Sequence, residues 1–83
     1  VRVEWWYCHF RKVHVYQNGS HQNEEQDLFY RGRTSMNEDP LKTGDLSLTL
    51  KNPTVAHSGR YTCKIFDTEG NIIRAKTVWV FDN

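Results

Sequence analysis

Late in the chain stands Ser58-Gly59-Arg60-Tyr61-Thr62-Cys63, and 58 residues before that cysteine stands Trp5, inside the alternating stretch Val1-Arg2-Val3-Glu4-Trp5-Trp6-Tyr7. A period of two puts Val3, Trp5 and Tyr7 on one face of a strand and Arg2, Glu4 and Trp6 on the other. The same alternation puts Tyr61, Cys63 and Ile65 together. Between them Leu46-Ser47-Leu48-Thr49-Leu50 alternates again. Three apolar strand faces so far apart in sequence bury themselves only against one another, in a core built from strands. No stretch carries a 3.6-residue apolar stripe beyond two turns, so the chain is all-β.

Seven strands can be marked. They span residues 1–8, 13–17, 27–30 (a weak edge strand), 31–37, 45–51, 59–66 and 72–81. Asn18-Gly19-Ser20, Asp39-Pro40, Asn52-Pro53 and the run Asp67–Asn71 are the turn signals between them. Pro53 lacks a ladder donor and belongs outside a central strand. Several hairpin connections favour a sandwich over a barrel. The last strand is ambiguous. Arg74 and Lys76 outward would turn Trp79 and Phe81 inward, yet Val78 and Val80 also read as inward, and a bulge would reconcile them.

With 83 residues the chain makes one domain with a modest core. Its 11 basic and 10 acidic residues leave a net charge of +1, which gives no general attraction to nucleic acid or anionic membrane. No apolar run approaches the roughly 20 residues of a membrane span. Val1 already sits in a strand pattern, which reads as a fragment whose earlier strands precede it.

Three further runs narrow the class: Val13-His14-Val15-Tyr16-Gln17-Asn18-Gly19, then Glu24-Glu25-Gln26-Asp27, then Tyr30-Arg31-Gly32-Arg33-Thr34-Ser35. With Trp5 and the Tyr-x-Cys end, they resemble the immunoglobulin variable-type (V-set) domains of the butyrophilin and myelin oligodendrocyte glycoprotein group, which is related to the T-cell costimulatory and coinhibitory ligands. The resemblance implies one partial V-type Greek-key sandwich over 1–83. Its strands are C (1–8), C′ (13–17), C″ (27–30), D (31–37), E (45–51), F (59–66) and G (72–81), with A and B absent. Trp5, Leu48, Tyr61 and Cys63 become the core signature, and the disulfide partner of Cys63 belongs to the missing B strand. Two positions depart from the family pattern. His57 stands where the family has an Asp paired with an Arg at the place of Arg33. Pro53 replaces an apolar residue, leaving Val55 to carry that packing.

The resemblance also implies recognition at the cell surface, on the extracellular side of the plasma membrane, in a type I membrane protein anchored by a segment outside this chain. The partner implied is a protein receptor on another cell, itself an immunoglobulin V domain, and not nucleic acid. The expected role is that of a butyrophilin-like ligand regulating T-cell activation; the alternative is a homophilic adhesion glycoprotein of the myelin type. An antigen-receptor-like or polymeric-immunoglobulin-receptor-like domain fits the Tyr-Arg-Gly-Arg-Thr run less well. The binding face is the outer face of C, C′, F and G. Alternation from Trp5 and Cys63, with Val13 and Val15 turned inward, assigns to it Glu4, Trp6, His14, Tyr16, Lys64 and Phe66. The competing reading packs Trp6 and Phe66 under the neighbouring loops.

Two cysteines suggest one disulfide by count. Cys8, three residues after the inward Trp5, points outward while Cys63 points inward, so they are poorly placed to bridge; Cys8 reads as free or intermolecularly paired. Asn18-Gly19-Ser20 is an N-glycosylation sequon on a turn, and Asn52-Pro53-Thr54 is excluded by its proline. His9, His14, His21 and His57 show no zinc-ligand spacing, so no metal or cofactor is expected. There is no nucleophile elbow or phosphate loop, and His57-Ser58 has no orienting carboxylate in sequence, so the chain is not expected to be an enzyme.

Overall fold

The strand pattern at the start of the chain becomes the centre of a sheet. In the computed structural model, which describes residues 1–80, the strands are β1 (Arg2–Tyr7), β2 (Arg11–Gln17), β3 (Ser20–His21), β4 (Thr34–Ser35), β5 (Thr49–Leu50), β6 (Gly59–Phe66) and β7 (Ile72–Val80). Five form an antiparallel front sheet in the order β3-β2-β1-β6-β7, and β4 pairs with β5 behind it. In a V-type sandwich these are C″-C′-C-F-G and D-E. The A and B strands that would extend the second sheet are not among the described residues.

β1 lies between β2 and β6, with Trp5 opposite His14 on one side and Cys63 on the other. The buried residues Val3, Trp5, Val13, Tyr16, Tyr30, Tyr61 and Cys63 form the core, and Leu46, Leu48 and Leu50 pack against it from the second layer. The Trp5 indole N–H donates to the Leu46 carbonyl at 3.2 Å, tying the layers together. β2 turns into β3 through Asn18 (φ 53°) and Gly19 (φ 77°). A two-residue hairpin needs positive φ at both places, which Asn and Gly supply with little strain.

Several expected strands are shorter or displaced. The edge strand expected at 27–30 is a turn instead. The Asp27 carboxylate accepts the Phe29 N–H at 2.9 Å, and the Asp27 carbonyl accepts the N–H groups of Tyr30 and Arg31. Local bonds of this kind compete with a ladder, and β3 takes the edge. The strand expected at 31–37 contracts to β4 and that at 45–51 to β5. Among the described residues β5 finds ladder partners only on the two-residue β4, while the Asp45 carboxylate bonds the Ser47 N–H locally at 3.1 Å. β1 ends at Tyr7, and Cys8 (φ 49°) and His9 (φ 67°) begin the turn to β2.

β7 alternates without interruption from Arg74 to Val80. Arg74, Lys76, Val78 and Val80 line the inner side, and Trp79 faces out with 63% of its surface exposed. The outward placement of Arg74 and Lys76 is therefore corrected; Phe81 lies outside the described residues. The irregularity sits at the start of the strand, where Ile65 pairs with Arg74 but Phe66 pairs with Ile72. The inner side leaves an apolar groove of about 680 Å³ beside β5 and β7, walled by Leu46, Leu48, Leu50, Cys63, Ile65 and Val78.

Candidate recognition face

Cross-strand partners share a face, so the register lays out the outer side of the front sheet row by row. Arg2 lies beside Phe66 and Ile72, Glu4 beside Lys64 and Ala75, Trp6 beside Thr62 and Thr77, and Arg60 beside Trp79. Trp6 sits between two ammonium groups, with Lys12 Nζ 5.3 Å and Lys64 Nζ 5.7 Å from the ring, a geometry that favours cations over an indole face. Its N–H donates to Glu4 at 2.7 Å. Glu4 is bridged to Arg2, which donates in turn to Gln17 at 2.7 Å and to Glu25 at 2.6 Å. Burial works against the Glu4 charge, but the hydrogen bonds from Trp6 and Arg2 outweigh it and hold the carboxyl below its ordinary value. Glu4, Trp6 and Lys64 thus form one ordered polar-aromatic unit, with Phe66 at its edge.

His14 and Tyr16 do not belong to this face. Trp5 pairs with His14 while Trp6 pairs with Lys12, which leaves Val13 as the extra residue of a β-bulge. One inserted residue reverses the facing of everything beyond it. Val13 is buried in the core, and so is Tyr16; His14 is 4% exposed, and Val15 falls on the Glu4 side. The Tyr16 hydroxyl donates to Asp39 at 3.3 Å. Burial and the neighbouring His21 lower the His14 pKa to about 4. Conversely, alternation missed Trp79, Ile72 and Ile73, which are all more than half exposed; the inward pair Val78 and Val80 was the signal that could have placed Trp79 outward.

At the lower end, the Tyr61 hydroxyl donates to the His57 carbonyl at 2.6 Å and lies 3.0 Å from the Tyr30 hydroxyl. His57 is buried against Phe29, with ring centroids 4.6 Å apart. Its Nδ1 accepts the Thr54 N–H at 2.8 Å, completing a reciprocal cap on the short 3₁₀ turn Val55–His57. An acidic side chain commonly fills that role. Arg33 is exposed, and the ring bonds of His57 run to Thr54, so His57 does not take over the family Asp's pairing with the Arg. Val55 is 73% exposed and does not carry the packing expected of it; Pro53 lines the groove.

Both thiols are unpaired. Cys63 faces the groove, and burial pushes its thiol up to about 11, partly offset by Arg74. Asn18 is exposed at its turn. Among the described residues no three potential metal ligands come together, and no helix is long and apolar enough to cross a membrane.

The sheet order, the inward Trp5 beside Cys63 and the hydroxyl of Tyr61 closed onto the preceding turn define an immunoglobulin-type variable sandwich with an outward front face. The chain belongs to the immunoglobulin V-set domain family, whose model matches residues 2–81, a non-enzymatic class of recognition domain. It is 39% identical over 62 residues to mouse butyrophilin-like protein 2, covering 75% of this chain and 13% of that protein. Human myelin-oligodendrocyte glycoprotein is 36% identical over 64 residues, covering 76% of this chain and 26% of that protein. Human V-set domain-containing T-cell activation inhibitor 1 is 38% identical over 58 residues, covering 70% and 21%. Among solved structures, the human B7-H4 IgV-like domain superposes with a TM-score of 0.75 at 28% identity, over 96% of this chain and 67% of that one. The chain thus spans 13–26% of the length of these curated relatives.

Proposed function

We propose that this V-type domain, with its remaining strands preceding Val1, is the extracellular recognition module of a butyrophilin-like cell-surface ligand that regulates T-cell activation by binding an immunoglobulin-type receptor on another cell. Its membrane anchor lies outside this chain, Cys63 bridges to a cysteine on the B strand, and Asn18 carries an N-glycan. The observation that supports recognition through the front face is Trp79, exposed on the outer side of an edge strand. It extends a surface that also holds Ile72, Phe66, Lys64 and Trp6. An exposed tryptophan with half-buried aromatics beside an ordered charged unit has the composition of an interface hot spot.

The test is binding of the complete extracellular region to activated T cells. Trp79→Ala is expected to weaken binding at least tenfold, in the range of a hot-spot truncation of about 2 kcal/mol. Leu28→Ala, exposed on the turn that follows Asp27, is expected to leave it unchanged. Equal binding by both variants removes the front face from the reading. The similarity to myelin-oligodendrocyte glycoprotein supports a second reading, homophilic adhesion. Beads coated with the domain that cluster with one another but ignore T cells would establish that one instead.

A further inference from the structure

The histidine that alternation assigned to the recognition face lies between the two sheets and holds them together. His14 on β2 places Nδ1 2.8 Å from the Thr34 hydroxyl on β4 and Nε2 2.8 Å from His21 Nδ1 on β3. The Gln26 side chain donates to the same Thr34 oxygen at 2.6 Å and to the Val13 carbonyl at 2.7 Å. Two ring nitrogens at this separation share one proton: one donates and the other accepts. The Thr34 hydroxyl can donate or accept to suit the remaining His14 nitrogen, so the network is complete with both rings neutral.

A charge has little to stabilise it there. From β3 the facing group is His21, from β4 Thr34, from the following loop Gln26, and from β1 the cross-strand partner Trp5. On β2 itself Tyr16, whose ring lies 5.0 Å from that of His21, is engaged with Asp39. Among the described residues, Asp39 is the carboxylate linked to the cluster, and the link runs through the Tyr16 hydroxyl. A proton taken up by His14, which is 4% exposed, puts a cation in a buried pocket with no acid bonded to it. A second sets N–H against N–H across the 2.8 Å contact.

We propose that the His14–His21 pair is an acid-sensitive clasp that fastens the β2–β3 edge of the front sheet to β4, and that protonation releases this edge. The released part is small. β3 has two residues, and the following segment is fixed by the Gln22 N–H to the Val15 carbonyl and the Asp27 N–H to the Lys12 carbonyl, each 2.8 Å. Glu25 in that segment bonds Arg2, and Arg2 bonds Glu4, so the release reaches the polar support of Trp6.

The sign follows from where the proton binds. In the closed edge burial and His21 hold His14 near 4; in the open edge it titrates near its ordinary value of about 6.5. Between these values the open form binds the extra proton, so opening grows as pH falls from about 6.5 towards 4 and levels off below. At pH 5.5 the opening constant should be about tenfold that at pH 7.5. Hydrogen exchange in the complete polypeptide carrying this domain, corrected for the intrinsic pH dependence of exchange, reads this at the Gln22 and Asp27 amides. The expected result is the tenfold rise there, no comparable rise at β1–β6 ladder amides, and loss of the rise in His14→Gln. Should that variant fail to fold, His14→Asn, which also removes the titrating ring, serves the same purpose. An opening constant equal at the two pH values, a rise that survives both substitutions, or an equal rise across β6 overturns the clasp.

Discussion

Tyr7 and Gly59 illustrate how little room the lower end of the sandwich leaves. Gly59 has φ 145°, and a Cβ there would lie 2.9 Å from the Tyr7 ring and hydroxyl. That hydroxyl donates to the Ser58 carbonyl at 2.8 Å, and the ring packs edge-on against Tyr61. Gly59→Ala combines backbone strain with a displaced aromatic and is expected to destabilise the domain by about 2–4 kcal/mol, seen as a lower melting temperature of the complete polypeptide. An unchanged melt would mean that Tyr7 moves aside without cost. At this scale Trp5, Tyr61 and Cys63 were legible because their spacing survives any local irregularity. His14 and Tyr16 were not, because nothing in Val13-His14-Val15-Tyr16 announces a bulge. The facing of β2 is decided by which β1 residues it meets, and that information lies in another strand.

At the scale of elements, the Asn18–Gly19 hairpin and the long strands β1, β6 and β7 could be read directly, since turn chemistry and alternation are local. The edge strand at 27–30 could not, because Asp27 satisfies the local backbone more readily than a distant ladder does. The extent of β5 depends on its neighbours. Leu46 and Leu48 keep their inward side while lying outside the ladder, held by packing and by the Trp5 bond to the Leu46 carbonyl. A strand added on the groove side should convert that stretch into regular ladder. In a polypeptide that includes the residues preceding Val1, the amides of Leu46 to Leu48 are therefore expected to exchange as slowly as those of Thr49 and Leu50. Faster exchange at Leu46 to Leu48 would mean that β5 gains no partner there.

For the molecule as a whole, the groove beside β5 and β7 sets the balance. It leaves three leucines and an isoleucine only partly covered, beside the buried Cys63 thiol, where a sandwich ordinarily closes over them. Loss of a native disulfide from a small secreted domain costs roughly 2–5 kcal/mol, and a domain of this size has little in reserve. The isolated 83-residue chain is therefore expected to aggregate or remain largely unfolded; a sharp, cooperative melt from a monomeric sample would contradict this. The family was legible at this scale because the Tyr-Arg-Gly-Arg-Thr run and the Tyr-x-Cys end are sequence-local. The receptor was not, because a binding face is assembled from residues on four strands and depends on every register between them.

The offset between Phe66 and Ile72 has a consequence for how this chain tolerates changes of length. β7 carries cations inward and a tryptophan outward, so the gain or loss of one residue between Arg74 and Val80 would exchange the two sides and expose the valines. Ile73 is the residue without a ladder partner, and losing it would close the irregularity while leaving every pairing from Arg74 onward in place. The hairpin that ends at Ile72 can therefore change in length through evolution, and the strand it feeds cannot.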